Sequence, residues 1–158
     1  MTDGERDGAA VRFPPPLVYL IAVVAGLVLQ AFVHPLRLEF PLAPRIGASA
    51  ALAGVGLGLI AGAIGHFRRT GQDPAPWKST PEIIASGVYR FTRNPMYLSM
   101  ALAQASIGIG AANGWILAAI PIVLVLIQTI AIRHEEAYLE RKFGETYVAY
   151  KRSVRRWI

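Results

Sequence analysis

The sequence has no cysteine, which excludes a disulfide framework, a thiol nucleophile and a Cys-based metal site; no metal is expected. Charge is missing where the chain is most apolar, since no charged side chain occurs between Arg93 and Arg133. Acidic residues are few, 10 against 16 Lys and Arg, and the net charge is +6. Such an excess could suit nucleic acid, but the basic residues flank apolar segments instead of forming a surface of their own. Anionic lipid headgroups are therefore the expected counter-charge, and nucleic acid is not an expected partner. What is abundant is apolar: 54% of the residues, a mean hydropathy of +0.41, and long blocks instead of alternation. That is the composition of a membrane protein, and 158 residues make one membrane-embedded domain, 1–158.

The opening MTDGERDGAAVRF mixes Asp3, Glu5 and Asp7 with Arg6 and Arg12. A secretory leader would begin with basic residues and end in a small-residue cleavage signal. The stretch reads instead as a short solvated tail entering a retained helix.

Three apolar blocks follow. Leu17–Val33 and Ile46–Ile64 are each about one crossing long. Met96–Ile132 spans 37 residues, too many for one crossing and right for two. Ala111, Ala112, Asn113 and Gly114 supply its turn, because Asn-Gly suits left-handed backbone. The expected fold is all-α, a polytopic membrane helical bundle of about four transmembrane helices at 17–33, 46–64, 96–111 and 115–132. The last two form a tight hairpin; a re-entrant third segment is the variant. A cytoplasmic amphipathic helical tail, 133–158, would follow, with Gly144 separating two short helices. Putting both termini and the 65–95 loop on one side collects fourteen of the 16 basic residues there and leaves Arg37 and Arg45 opposite. That count places both termini in the cytoplasm.

Ala50, Gly54, Gly58 and Gly62 form a four-residue repeat of small side chains, a face on which another helix, internal or from a second copy, could pack. Gln30, Gln104 and Gln128 within the spans are expected to hydrogen-bond between helices, and His34 and His66 to sit at the interface.

The stretch GVYRFTRNPMYLSM, residues 87–100, ends where the third span begins. Asn94 is a suitable helix N-cap and Pro95 a suitable first helical residue. Tyr89 and Tyr97 suit an aromatic belt, and Arg90 and Arg93 suit lipid phosphates. The hairpin adds a second reading. It returns the chain to the membrane face it left, so Arg93–Tyr97 and Arg133–Glu136 should be neighbours. Cationic, anionic and aromatic groups would then meet under the amphipathic tail, an environment for a zwitterionic ligand bearing an adenine-like ring.

GVYRFTRNPMYLS followed, after a hairpin, by EEAYLERKFGETYVAY resembles the integral-membrane methyltransferase superfamily of isoprenylcysteine carboxyl methyltransferase and the phospholipid N-methyltransferases. The resemblance covers roughly residues 83–155. It implies S-adenosylmethionine bound at the cytoplasmic end of the bundle and a lipophilic acceptor, a small molecule or a lipid, arriving from the bilayer. Tyr89, Arg93, Asn94, Pro95, Tyr97, Glu135, Glu136 and Tyr147 would bind the cofactor, the two glutamates at its ammonium or ribose hydroxyls. Val88, Asn94 and Ser99 stand where the superfamily often has Pro, His and Gly, and Asn94 cannot act as an acid or base near neutrality.

Methyl transfer from a sulfonium is an in-line displacement governed by positioning. An isoprenylcysteine-like carboxylate would need only a cation to hold it, Arg133 or Arg93. An amine or hydroxyl would have to lose a proton, to Glu135, Glu136 or His134. Arg93, Arg133 and Glu135 are thus the expected catalytic residues. A nicotinamide-dependent reductase related to sterol reductases and a non-catalytic lipid-binding protein on the same scaffold are the competing readings. The brevity of the chain suggests a bacterial plasma membrane.

Overall fold

A computed structural model of the chain describes residues 8, 9, 11, 13–71, 78 and 80–158. Asp3, Glu5, Arg6, Asp7 and Arg12, read above as a solvated tail, lie outside the described residues. Ala9 and Val11 of that stretch are buried in the core rather than solvated.

Helix α1 is Pro15–Phe32, α2 Leu42–Thr70, α3 Pro95–Gly110 and α4 Gly114–Ile127. A π turn, Gln128–Ile132, carries α4 into α5, Arg133–Phe143, and α6 is Glu145–Ser153. Proline opens α1 and α3 at positions whose N–H groups would have no partner inside the helix. Among the described residues, three helices are long and apolar enough to cross a bilayer: Pro15–Phe32, Leu42–Arg69 and Gly114–Phe143. At 16 residues, about 24 Å, α3 falls short of a free-standing span. It lies inside the bundle, packed on α1, α2 and α4. Exposed apolar residues such as Ile21, Val24, Leu57, Ile122 and Val125 face outward, as lipid contact requires.

Helix α1 meets α4 at Gly26, where a Cβ would stand 2.5 Å from Ile116 Cγ1 and 2.9 Å from its backbone nitrogen. Gln104 donates to the Ile116 carbonyl at 3.0 Å, joining α3 to α4 as the sequence suggested. Gln30 instead accepts from the Leu36 N–H at 2.9 Å in the α1–α2 connection.

Two local expectations are refined. Within the chain the small-residue repeat meets no other helix at Ala50, Gly54 and Gly58, which are exposed with open space beyond both glycines, while Gly62 packs on Val88. The face of α2 that packs on α3 carries Ser49 and Gly56: Ser49 Oγ donates to the Ser106 carbonyl at 2.9 Å, and Gly56 lies against the Ser99 carbonyl. In the hairpin turn, Ala112 takes the left-handed conformation, φ 51°, while Asn113 is extended. Only in that conformation does Asn113 cap α4, its Oδ1 accepting from the N–H groups of Trp115 and Ile116.

Candidate functional site

The hairpin brings α5 back beside the residues that open α3, and Gly144, φ 53°, lets α6 fold over both. The tail thus covers the basic end of the bundle. Tyr150 donates to the Tyr89 carbonyl at 2.7 Å. Beyond α6, the Arg155 carbonyl accepts from the Arg93 N–H at 3.0 Å. The Arg156 carbonyl accepts from Thr92 Oγ1 at 3.1 Å and from Asn94 Nδ2 at 3.0 Å. Asn94 therefore occupies the N-cap position of α3, as expected, but its side chain makes no capping bond and ties the helix start to the tail.

The expected cluster of charges forms. Tyr97 donates its hydroxyl proton to Glu135 Oε1, and Tyr19 of α1 donates to the Tyr97 carbonyl at 3.0 Å. Glu136 has Arg93 Nη1 at 3.2 Å from Oε1, and Arg156 grips it with Nε at 2.9 Å and Nη2 at 2.7 Å. The π turn helps to aim these groups. Its wider turn holds one more residue than an α turn, which rotates α5 about its axis relative to α4.

Between these elements lies a cavity of about 410 Å3, within the range of small-molecule sites. Of the eight residues expected at a cofactor, Tyr89, Arg93, Asn94, Pro95, Tyr97, Glu135 and Tyr147 line it. Glu136 is not among the lining residues and stands behind Arg93. Arg133 and His134 are exposed and do not line the cavity. The sequence reading missed the tail cation Arg156, the Tyr19 prop and the roof made by Pro14–Pro16 and by Thr80, Glu82, Ile83 and Ile84. Tyr150 also lines the cavity and is not among the residues expected there.

Arg93 is the most informative lining residue. Its side chain is 9% exposed, yet Nε and Nη1 are buried without a hydrogen-bond partner. The contact of Nη1 with Glu136 is an ion pair by distance, without hydrogen-bond alignment. A guanidinium in the wall of a cavity is a planar fork that fits a carboxylate or phosphate. Burial pushes the Tyr150 phenol up to about 12, opposed by Arg93, and raises those of Tyr89 and Tyr147 further. All three stay neutral donors at physiological pH.

Gly87 begins the short turn, Gly87–Arg90, that carries Tyr89. It sits at φ 59°, and a Cβ there would fall 2.0 Å from His66 Nε2. Gly87→Ala is expected to destabilise the protein by about 1–3 kcal/mol, from backbone strain and this overlap together. Adding His66→Ala should restore only the steric share. Thermal melting of the single and double variants checks this; a double variant no more stable than Gly87→Ala would remove His66 from the account.

The profile of the phospholipid methyltransferase family matches residues 45–146, about two thirds of the chain. The chain belongs to the phospholipid methyltransferase family. It is also similar to an uncharacterized protein of Haemophilus influenzae, 38% identical over 63 residues that cover 40% of this chain and all of that protein. The family lies within the integral-membrane methyltransferase superfamily, in keeping with three apolar helices of crossing length. Arg93, Asn94, Tyr97 and Glu135 lie within the matched segment, whereas Tyr147, Tyr150 and Arg156 lie beyond it.

Proposed function

We propose that this protein is an S-adenosylmethionine-dependent methyltransferase acting on a lipophilic acceptor at the cytoplasmic face of a membrane, with both termini on that side. The observation that carries the reading is a cavity walled by Arg93, Glu135 and the tyrosines Tyr89, Tyr97, Tyr147 and Tyr150. The donor set suits the cofactor. Arg93 would hold its carboxylate, Glu135 its ammonium or ribose hydroxyls, and the faces of Tyr89 and Tyr147 its ring or sulfonium. When bound, the cofactor supplies a methyl group on a positive sulfur, which passes in line to an acceptor lone pair. The chain's residues orient the partners and exclude water.

The charge of the cavity favours an amine headgroup over the isoprenylcysteine-like carboxylate. With Arg93 engaged, no second cation lines the cavity among the described residues, and an acceptor carboxylate would face Glu135 and Glu82 unpaired. An amine would find Glu135 placed to take its proton.

Calorimetry of the detergent-purified protein tests the reading. Saturable S-adenosylmethionine binding is expected. Glu135→Gln keeps an acceptor for Tyr97 but loses the charge, and should weaken binding about tenfold with melting unchanged. A well-folded wild type that does not bind, with lipid added or omitted, would sink the proposal.

A further inference from the structure

Among the described residues two carboxylates line the cavity, and their settings differ. Glu135 is half-buried and accepts a hydrogen bond from the Tyr97 hydroxyl. Glu82, on the roof, is exposed and has no hydrogen-bond or ion-pair partner among the described residues. It therefore stands where the cavity meets solvent. The segment that carries it is tied to the wall on both sides. The Thr80 N–H donates to Tyr138 Oη at 3.2 Å, and Tyr138 lies about one turn along α5 from Glu135. Beyond Glu82, Ile83 and Ile84 line the cavity, and the chain enters the turn Gly87–Arg90 that carries Tyr89.

We propose that Glu82 determines acceptor specificity by pairing with the cationic nitrogen of the acceptor headgroup. The inference rests on the amine reading of the cavity given above. Arg93 and Glu135 are the counter-groups for the carboxylate and ammonium of the cofactor, which leaves Glu82 for the acceptor. In water the Glu82 carboxylate is well solvated. An acceptor that covers the mouth of the cavity strips water from it, which costs free energy unless the acceptor brings a positive charge. A neutral or anionic headgroup is thereby rejected and an ammonium retained. The discrimination comes from the charge left unpaired with the wrong headgroup as much as from the contact made with the right one.

The test uses the full-length protein in detergent, saturated with S-adenosylhomocysteine, the cofactor less its methyl group, so that no turnover occurs. Calorimetry measures two short-chain phospholipids that differ only in carrying an aminoethyl or a hydroxyethyl headgroup. Wild type is expected to prefer the aminoethyl lipid. Glu82→Gln should weaken that lipid about fivefold, the upper range for an ion pair that water can reach, and the hydroxyethyl lipid by less than about twofold. Glu82→Asp keeps the charge on a shorter arm and should retain part of the preference. Binding of S-adenosylmethionine and the melting temperature should not change, because the side chain is exposed and holds no partner among the described residues. Equal weakening of both lipids, or an unchanged preference in Glu82→Gln, would overturn the inference and leave the methyltransferase reading in place. Loss of S-adenosylmethionine binding in Glu82→Gln would put the residue at the cofactor instead and overturn it as well. A wild type that binds the cofactor but does not prefer the amine defeats the inference alone. One that binds no cofactor fails the reading of the cavity itself, and the inference falls with it.

Discussion

Arg93→Leu is expected to raise the dissociation constant for S-adenosylmethionine by on the order of 10- to 100-fold while the protein stays folded. The size follows from losing a charge-assisted hydrogen bond in a water-poor site, about 1.5–3 kcal/mol. Folding should survive because Glu136 keeps both its bonds to Arg156, so no buried carboxylate is orphaned. Leucine gives up the ion pair of Arg93 Nη1 with Glu136, 3.2 Å, while Arg156 continues to neutralise that carboxylate. The melting temperature should therefore fall only slightly even as binding is lost. Arg90 provides the matched control. It is exposed, lies 5.7 Å from the Phe91 ring centre, and does not line the cavity. Arg90→Leu should leave binding within about twofold, since an exposed charge contributes little. Equal losses in the two variants would point to a general effect of positive charge and against a specific contact at Arg93.

The largest effect on stability is expected at Asn113, which is 1% exposed at the far end of the hairpin. Its Oδ1 accepts from two N–H groups of the first turn of α4, and its Nδ2 donates to the Gly26 carbonyl of α1 at 3.0 Å. One side chain thus caps a helix and clamps a second one to it. Asn113→Leu removes the cap, worth about 0.5–2 kcal/mol, and leaves buried polar groups unpaired at about 1–3 kcal/mol. A loss of roughly 2–4 kcal/mol is expected, read as a fall in the melting midpoint in detergent. Asn113→Asp keeps the cap but not the donor and should fall between. Binding per folded molecule should not change, because the turn is at the opposite end of the bundle from the cavity. A leucine variant that melts with the wild type would show that the turn is held by its backbone bonds, Gly114 N–H to the Leu36 carbonyl and Leu38 N–H to the Ala112 carbonyl.

The site was legible to the extent that hairpin geometry alone could place it. An apolar run of 37 residues with a turn at its middle must bring its ends together, so Tyr97 and Glu135 could be paired across the chain. Glu136 was harder to place. Helical spacing offers it the neighbours three and four residues along its own helix, yet it bonds Arg156, 20 residues on, because Gly144 and the strap carry the tail back. Sequence distance says nothing about such a partner. The glycine repeat takes no internal helix partner at Ala50, Gly54 and Gly58 for a related reason. A row of small residues shows that a helix face permits close approach, but rotation about the helix axis is decided by everything that packs, and Ser49 and Gly56 face α3 instead.

By itself the sequence determined the apolar segments, the side on which the basic residues gather, the hairpin, and hence which residues share one end of the bundle. These follow from the size of the hydrocarbon core and from chain continuity, which act on every residue alike. Only the tertiary structure decided which face of each helix is buried and that Ala112 bends left-handed so that Asn113 can cap. It also decided that Glu136 is held by the tail and that Arg93 lines the cavity. Those outcomes depend on angles and distances between elements, which packing and buried hydrogen bonds select and no local pattern of residue types encodes.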